Sequence, residues 1–199
     1  MLEARKITFG YDRKGEPLYE GFSLAVDSSE CVVLHASSGA GKTTLCSLLA
    51  GYLKPWSGEI LIDGKSLPKW GVCPVQMIGQ HPERMLDPLM TIERSLKEAG
   101  PFSQELLDTF GVRSEWLLRY PSELSGGEMQ RVCIVRALSV KPRYLICDEI
   151  STMLDAVTQA QIWSALKDYA ACENVGMIAV THSSALRERI ATRVVTVGR

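Results

Sequence analysis

The stretch CVVLHASSGAGKTTLCSLLAGYL, residues 31–53, restricts the fold more than any other part of the chain. It begins as an apolar run of strand length that ends in small residues. A turn rich in serine and glycine follows, and Leu45, Leu48 and Leu49 then recur on one face of a helix predicted over 42–53. Strand, turn and helix in this order bring the backbone N–H groups of Ser37, Ser38, Gly39, Ala40, Gly41, Lys42 and Thr43 to a helix N-terminus. Successive amides in that setting form a concave site for phosphate. Gly39 and Gly41 allow unusual φ values and close approach. Lys42 is placed to neutralise charge on β- and γ-phosphates, and the Thr43 hydroxyl to ligate Mg²⁺. The phosphate-loop pattern asks for Gly, four free residues, then Gly-Lys-Ser/Thr, and Ala36 stands at its first position. A methyl group there does harm only if the residue needs φ > 0 or lacks room for a Cβ. In extended backbone, alanine is mildly favourable over glycine.

Short β-branched runs alternate with helical patterns elsewhere, which predicts an α/β domain with parallel strands. YLICD (144–148), GMIAVTH (176–182) and RVVTV (193–197) read as further strands, and TQAQIWSALKDYA (158–170) as a helix between the first two. The start differs: ITFGY and GFSLAV flank the polar turn DRKGEP (12–17), which predicts an antiparallel hairpin or small sheet. Residues 82–140 lack strong strands and carry short helical patterns such as SQELLDTFGV (103–112), so they read as a helical insertion. The expected organisation is a single domain over 1–199. Residues 1–81 and 141–199 form its core and antiparallel β subdomain, and about 82–140 the helical subdomain.

Composition narrows the partners. With 22 basic and 23 acidic side chains the net charge is -1, so no coat of nucleic acid or anionic lipid is expected. The six cysteines form no C-x-x-C pair and sit mostly in apolar runs, and are expected as buried free thiols in a reducing cytosol. The N-terminus has charges at Glu3, Arg5 and Lys6 and no secretory pattern. No apolar stretch approaches the ~18–20 residues that span a bilayer. A cytosolic chain able to dock on a membrane protein is expected.

Two further motifs carry chemistry. YLICDE (144–149) is an apolar strand ending in two carboxylates. Asp148 beside the loop supplies a second Mg²⁺ contact through water, and Glu149 can act as general base on an attacking water. In LSGGEMQRVCIVRAL (124–138), Ser125, Gly126 and Gly127 open a second helix, again an anion site. One nucleotide does not need two phosphate cradles in one chain. Two copies facing head to tail would place each cradle on the partner's nucleotide.

With these motifs in order, the chain resembles over nearly its whole length the nucleotide-binding subunit of ATP-binding cassette (ABC) transporters, whose signature is LSGGQ or LSGGE. The resemblance implies a phosphate-loop NTPase core with ATP and Mg²⁺ as ligands. It matches residues 36–44, Thr44 included, to the Walker A loop. Tyr11 falls where the family stacks a ring on adenine, and Gln80 matches the Q-loop glutamine, which touches the Mg²⁺/water site and senses the transmembrane partner. Ser125, Gly126, Gly127 and Glu128 match the signature, Asp148 the Walker B aspartate and Glu149 the catalytic glutamate. Asp155 matches the D-loop, and His182 the switch histidine that contacts γ-phosphate. Implied partners are a second ATPase subunit, transmembrane permease subunits and an extracytoplasmic solute-binding protein.

GQHPERMLDPLMTI (79–92) and LDAVTQAQI (154–162) are similar to the peptide/nickel importer branch, which implies uptake of oligopeptides, nickel or metal chelates. Departures from the family are Ala36, Ser183 after His182, Thr152-Met153 in the D-loop, and a chain that stops at Arg199. Two alternatives stay open. One is an ABC-type ATPase of DNA repair or chromosome maintenance, although only about eighty residues, without heptads, separate loop and signature. The other is a weakly hydrolysing partner in an asymmetric pair.

Overall fold

The computed structural model describes residues 1–197, and the chain end at Arg199 lies outside them. Two sheets make up the fold. In the first, β1 (Leu2–Phe9) pairs antiparallel with β2 (Tyr19–Val26), in line with the expected hairpin. Its other edge pairs with β4 (Ser57–Ile62), followed by the two-residue β5 (Lys65–Ser66). Leu2, Ala4, Ile7 and Phe9 of β1 all face the core. Strict alternation would put Ala4 and Ile7 on opposite faces, and the pairing register shifts between them. Lys6 in that gap has φ 46°. Opposite it sits Gly58, where a Cβ would lie 2.4 Å from the Lys6 carbonyl oxygen, so only glycine fits.

The second sheet is fully parallel, in the order β6 (Val75–Ile78), β7 (Tyr144–Asp148), β8 (Gly176–Val180), β3 (Cys31–His35), β9 (Arg193–Thr196). Every residue of β7 and β8 is buried, as unbroken apolar runs in a sheet covered on both faces require. One face, with Val33, Leu145, Cys147, Met177 and Ala179, packs under α2 (Ile92–Ala99), α3 (Gln104–Thr109), α4 (Gly126–Ser139) and α5 (Ala156–Glu173). The other, with Val32, Leu34, Ile146, Ile178 and Val180, packs against α1 (Lys42–Leu49) and the antiparallel sheet. A short α6 (Ser184–Ile190) precedes β9, and no strand occurs between 82 and 140.

Several boundaries differ from expectation for local reasons. The helix predicted over 42–53 ends at Leu49, because Gly51 turns left-handed at φ 79° and the Tyr52 and Leu53 amides fold back to the Ser47 carbonyl. The helix predicted over 103–112 is cut to Gln104–Thr109 by Gly111 at φ 63°. The one predicted over 158–170 is longer at both ends: Asp155 caps its start and Asn174, at φ 54°, its finish. Among the cysteines, four are buried, Cys73 is half-buried and Cys172 is exposed, which corrects the expectation for the last two.

Because β3, β6, β7 and β8 run parallel, their carboxyl ends lie along one edge. Ligands bind outside the carboxyl ends of such strands. Here those ends lead to the serine-glycine loop, to Gln80, to Asp148-Glu149 and to His182.

Candidate nucleotide site

The loop leaves β3 with Ser37, Ser38 and Gly39 exposed and enters α1 through Gly41, its N-cap, at φ 93° and ψ 11°. A Cβ at Gly41 would lie 2.7 Å from Leu18 Cδ2, so the sequence needs glycine both for the backbone and for the space. Ala36 is not among the residues with positive φ, and its methyl packs against the core under the loop. Lys42 is buried along its stem, and its Nζ donates to the carbonyls of Ala36 and Ser37, each at 3.0 Å. The ammonium is thus stored against the loop's own carbonyls at the mouth of the cradle.

Asp148, at the end of β7, is 2% exposed. Burial pushes its carboxyl above the usual range and Glu149 adds to this, while the Thr43 hydroxyl donating to it, with Lys42 and His182, pulls the other way. Its Oδ1 has no hydrogen-bond partner. A buried carboxylate oxygen left open beside a hydroxyl is the donor set of a hard divalent cation. The residues therefore fit Mg²⁺.

Glu149 follows in left-handed backbone at φ 53°, uncommon for a residue with a Cβ. Its N–H is held by the Val180 carbonyl at 3.1 Å. Both carboxylate oxygens are engaged: Oε1 with His182 Nε2 at 2.8 Å, and Oε2 with Gln80 Nε2 at 3.2 Å. Such strain persists where surrounding contacts over-determine it. The ends of β6 and β8 supply those contacts. Tyr11 presents an exposed ring, edge-on to Phe9, with its hydroxyl 2.9 Å from Thr44 Oγ1.

The fold therefore gathers Tyr11, residues 37–44, Gln80, Asp148, Glu149 and His182 along one edge. Ser125, Gly126, Gly127, Glu128 and Asp155 line a different open cavity, of about 880 Å³, whose walls include no residue of the loop. Ser125 caps α4 and accepts from the Glu128 N–H at 3.3 Å, while the Glu128 carboxylate accepts from the Ser125 N–H at 2.7 Å. That backbone bond holds Glu128 below the usual carboxylate range, so it is an ionised helix cap as well as a signature residue. Gly126 and Gly127 pack so closely on the next segment that added Cβ atoms would lie 2.9 Å from Met153 Sδ and 3.1 Å from Leu154 Cδ2. Asp155 caps α5 through the Val157 and Thr158 amides, both at 3.0 Å.

Sequence reasoning missed four residues. Tyr19 reaches the Gly41 carbonyl, Gln130 donates to the Gly79 carbonyl just ahead of Gln80, and Arg113 and Arg131 flank the second cavity. Tyr19 and Arg113 lie outside the motifs, and Gln130 and Arg131 lie inside LSGGEMQRVCIVRAL without a role read for them.

A phosphate loop at the carboxyl edge of a parallel sheet, with a buried aspartate on the adjoining strand system, defines a nucleotide-hydrolysing fold of the phosphate-loop class. The family model described as ABC transporter matches residues 19–152, and the chain belongs to that family. It is an ATP-hydrolysing transport ATPase subunit. The nickel import system ATP-binding protein NikE of Staphylococcus aureus (strain bovine RF122 / ET3-1) is 34% identical over 209 residues, covering 98% of this chain and 85% of that protein. A solved ATP-binding subunit of an ABC transporter superposes with TM-score 0.86 at 26% identity, covering 100% of this chain and 86% of the other. The dimeric cassette MJ0796 bound to ADP and Pi shares the fold, with TM-score 0.86 at 23% identity over 100% of this chain and 94% of that one. Among the described residues, no helix is long and apolar enough to cross a membrane.

Proposed function

We propose that this subunit powers uptake of nickel, metal chelates or peptides, working as one of two cassettes that close head to tail on two ATP molecules. The observation that carries the hydrolytic site is the Glu149 carboxylate, held by His182 and Gln80 beside the Thr43–Asp148 pair. ATP lies with its phosphates along residues 37–44 and its adenine on Tyr11. Lys42 exchanges the Ala36 and Ser37 carbonyls for the β- and γ-phosphates. Thr43, Asp148 and Gln80 would hold Mg²⁺, which when bound neutralises charge on the β- and γ-phosphate oxygens. Glu149 accepts a proton from water as the water oxygen attacks the γ-phosphorus in line; the bond to the β–γ bridging oxygen breaks and its electron pair leaves with ADP. His182 orients Glu149 and contacts the γ-phosphate. Ser125, Gly126 and Gly127 of the partner cassette grip that phosphate from the far side, with Asp155 at the edge of the contact.

The helical segment 82–140 acts as a unit hinged on the core 1–81 and 141–199. Gln80, at the junction, relays closure to separate permease subunits on the inner face of the membrane. An extracytoplasmic protein delivers the solute. The solute class rests on similarity to nickel import ATPases. Deleting the gene is expected to abolish energised uptake of radioactive nickel or of a labelled dipeptide; uptake of both at native rates would sink the import reading.

Ala36→Gly is expected to change MgATP affinity less than about threefold, since residue 36 sits at ordinary φ with its methyl accommodated. Titration calorimetry reads this directly. A gain of a hundredfold, about 2.7 kcal/mol, would make residue 36 a determinant of nucleotide grip.

A further inference from the structure

Behind the phosphate loop stands a buried hydroxyl that the hydrolytic scheme does not use. Tyr19, the first residue of β2, is 4% exposed, and its Oη donates to the Gly41 carbonyl at 2.9 Å. Burial pushes the phenol well above its ordinary value, so the group stays a neutral donor. The Gly41 carbonyl also accepts the Leu45 amide at 2.9 Å, the opening bond of α1. Two donors converge on one oxygen, which has two lone pairs to receive them.

That carbonyl shares a peptide plane with the Lys42 N–H. In a trans peptide the C=O and the N–H point to opposite sides of the plane. Pinning the Gly41 oxygen toward the antiparallel sheet therefore aims the Lys42 amide away from the sheet and into the cradle. Gly41, at φ 93°, has no side chain of its own to hold this orientation. Leu18 and Tyr19 close the space behind it, at 2.7 and 2.9 Å from the position a Cβ would take. The Tyr19 ring is itself fixed against Phe22, with ring centroids 5.4 Å apart.

Resting on the nucleotide reading above, we propose that Tyr19 is a positioning residue for the nucleotide's phosphates: its hydroxyl sets the plane of the Gly41–Lys42 peptide, and so the aim of the Lys42 amide. Tyr19 belongs to the loop's function and not only to the core beneath it.

Tyr19→Phe tests this, because it keeps the ring and leaves the Gly41 oxygen satisfied by Leu45. Competition against a fluorescent nucleotide is expected to give MgADP and MgATP affinities weakened equally, about five- to tenfold, the latter about 1.4 kcal/mol. Adenosine, which places nothing in the cradle, should bind as it does to the native protein. A lowered melting temperature with native MgADP affinity would reduce Tyr19 to packing and overturn the inference. Equal weakening of adenosine binding would overturn it too. Native protein that binds no MgADP would instead overturn the nucleotide reading as a whole.

Discussion

Glu149→Gln is expected to lower ATP turnover at least a hundredfold while MgATP affinity stays within a few-fold of native. The side chain is isosteric, and its amide oxygen can still accept from His182, so the left-handed turn and the contact that over-determines it survive. Gln80 must reverse its amide to face the new –NH₂, which costs a rotation and no displacement. What disappears is the proton acceptor. A positioned general base contributes about 10²–10⁴ in rate, and an amide supplies none of it. Steady-state phosphate release gives the turnover, and sedimentation with ATP should find the ATP-bound pair accumulating. Native turnover in this variant would remove Glu149 from the chemistry.

Asp148→Asn should separate stability from function in opposite directions. The buried carboxyl is raised by desolvation, and its Oδ1 has no partner. For an acid whose folded pKa is raised, the stabilising contribution is fully present below the unfolded value, about 3.9, and is lost as pH rises through the folded one. At neutral pH the ionised group therefore burdens the ligand-free fold. An amide of the same shape relieves that burden, and a rise in melting temperature of about 2–4 °C is expected, the shift that ~1 kcal/mol gives in a chain of this size. The stabilisation that MgATP gives native protein, about 2.7 kcal/mol at a hundredfold excess over Kd, should shrink toward that of ATP without metal. Thermal scans with and without Mg²⁺ read both effects. Equal MgATP stabilisation of the two proteins would exclude Asp148 from the cation site.

The parts of the site legible in sequence are those whose physics is local. A loop between β3 and α1 is fixed by Gly39, Gly41 and the leucine face that follows, all within a few residues. The adjacency of Asp148 and Glu149 to that loop was inferable because a buried parallel strand can deliver its end to only one edge. What escaped reading depends on distant partners. The strand β4 begins with exposed Ser57, Gly58 and Glu59 and is a strand because β1 pairs with it. The four-residue β6 carries Gln76 in its middle and is held by β7. Tyr19 lies 22 residues from the carbonyl it binds, and nothing in its neighbours announces the bond. The dual role of Glu128 was half visible: Ser-Gly-Gly-Glu is a capping box as well as a signature, and the structure has both bonds of the box.

The short span from Glu149 to Asp155 ties the two halves of the machinery together. Thr152 turns back onto the Glu149 carbonyl through its amide and its hydroxyl, and Ser151 is bonded by the indole of Trp163. Met153 and Leu154 then press on the two glycines that open α4. One compact turn thereby joins the Glu149 carbonyl to the glycines that line the second cavity. In a head-to-tail pair each chain sits in both circuits. On the pairing proposed above, the two hydrolytic events are expected to be coupled through this turn.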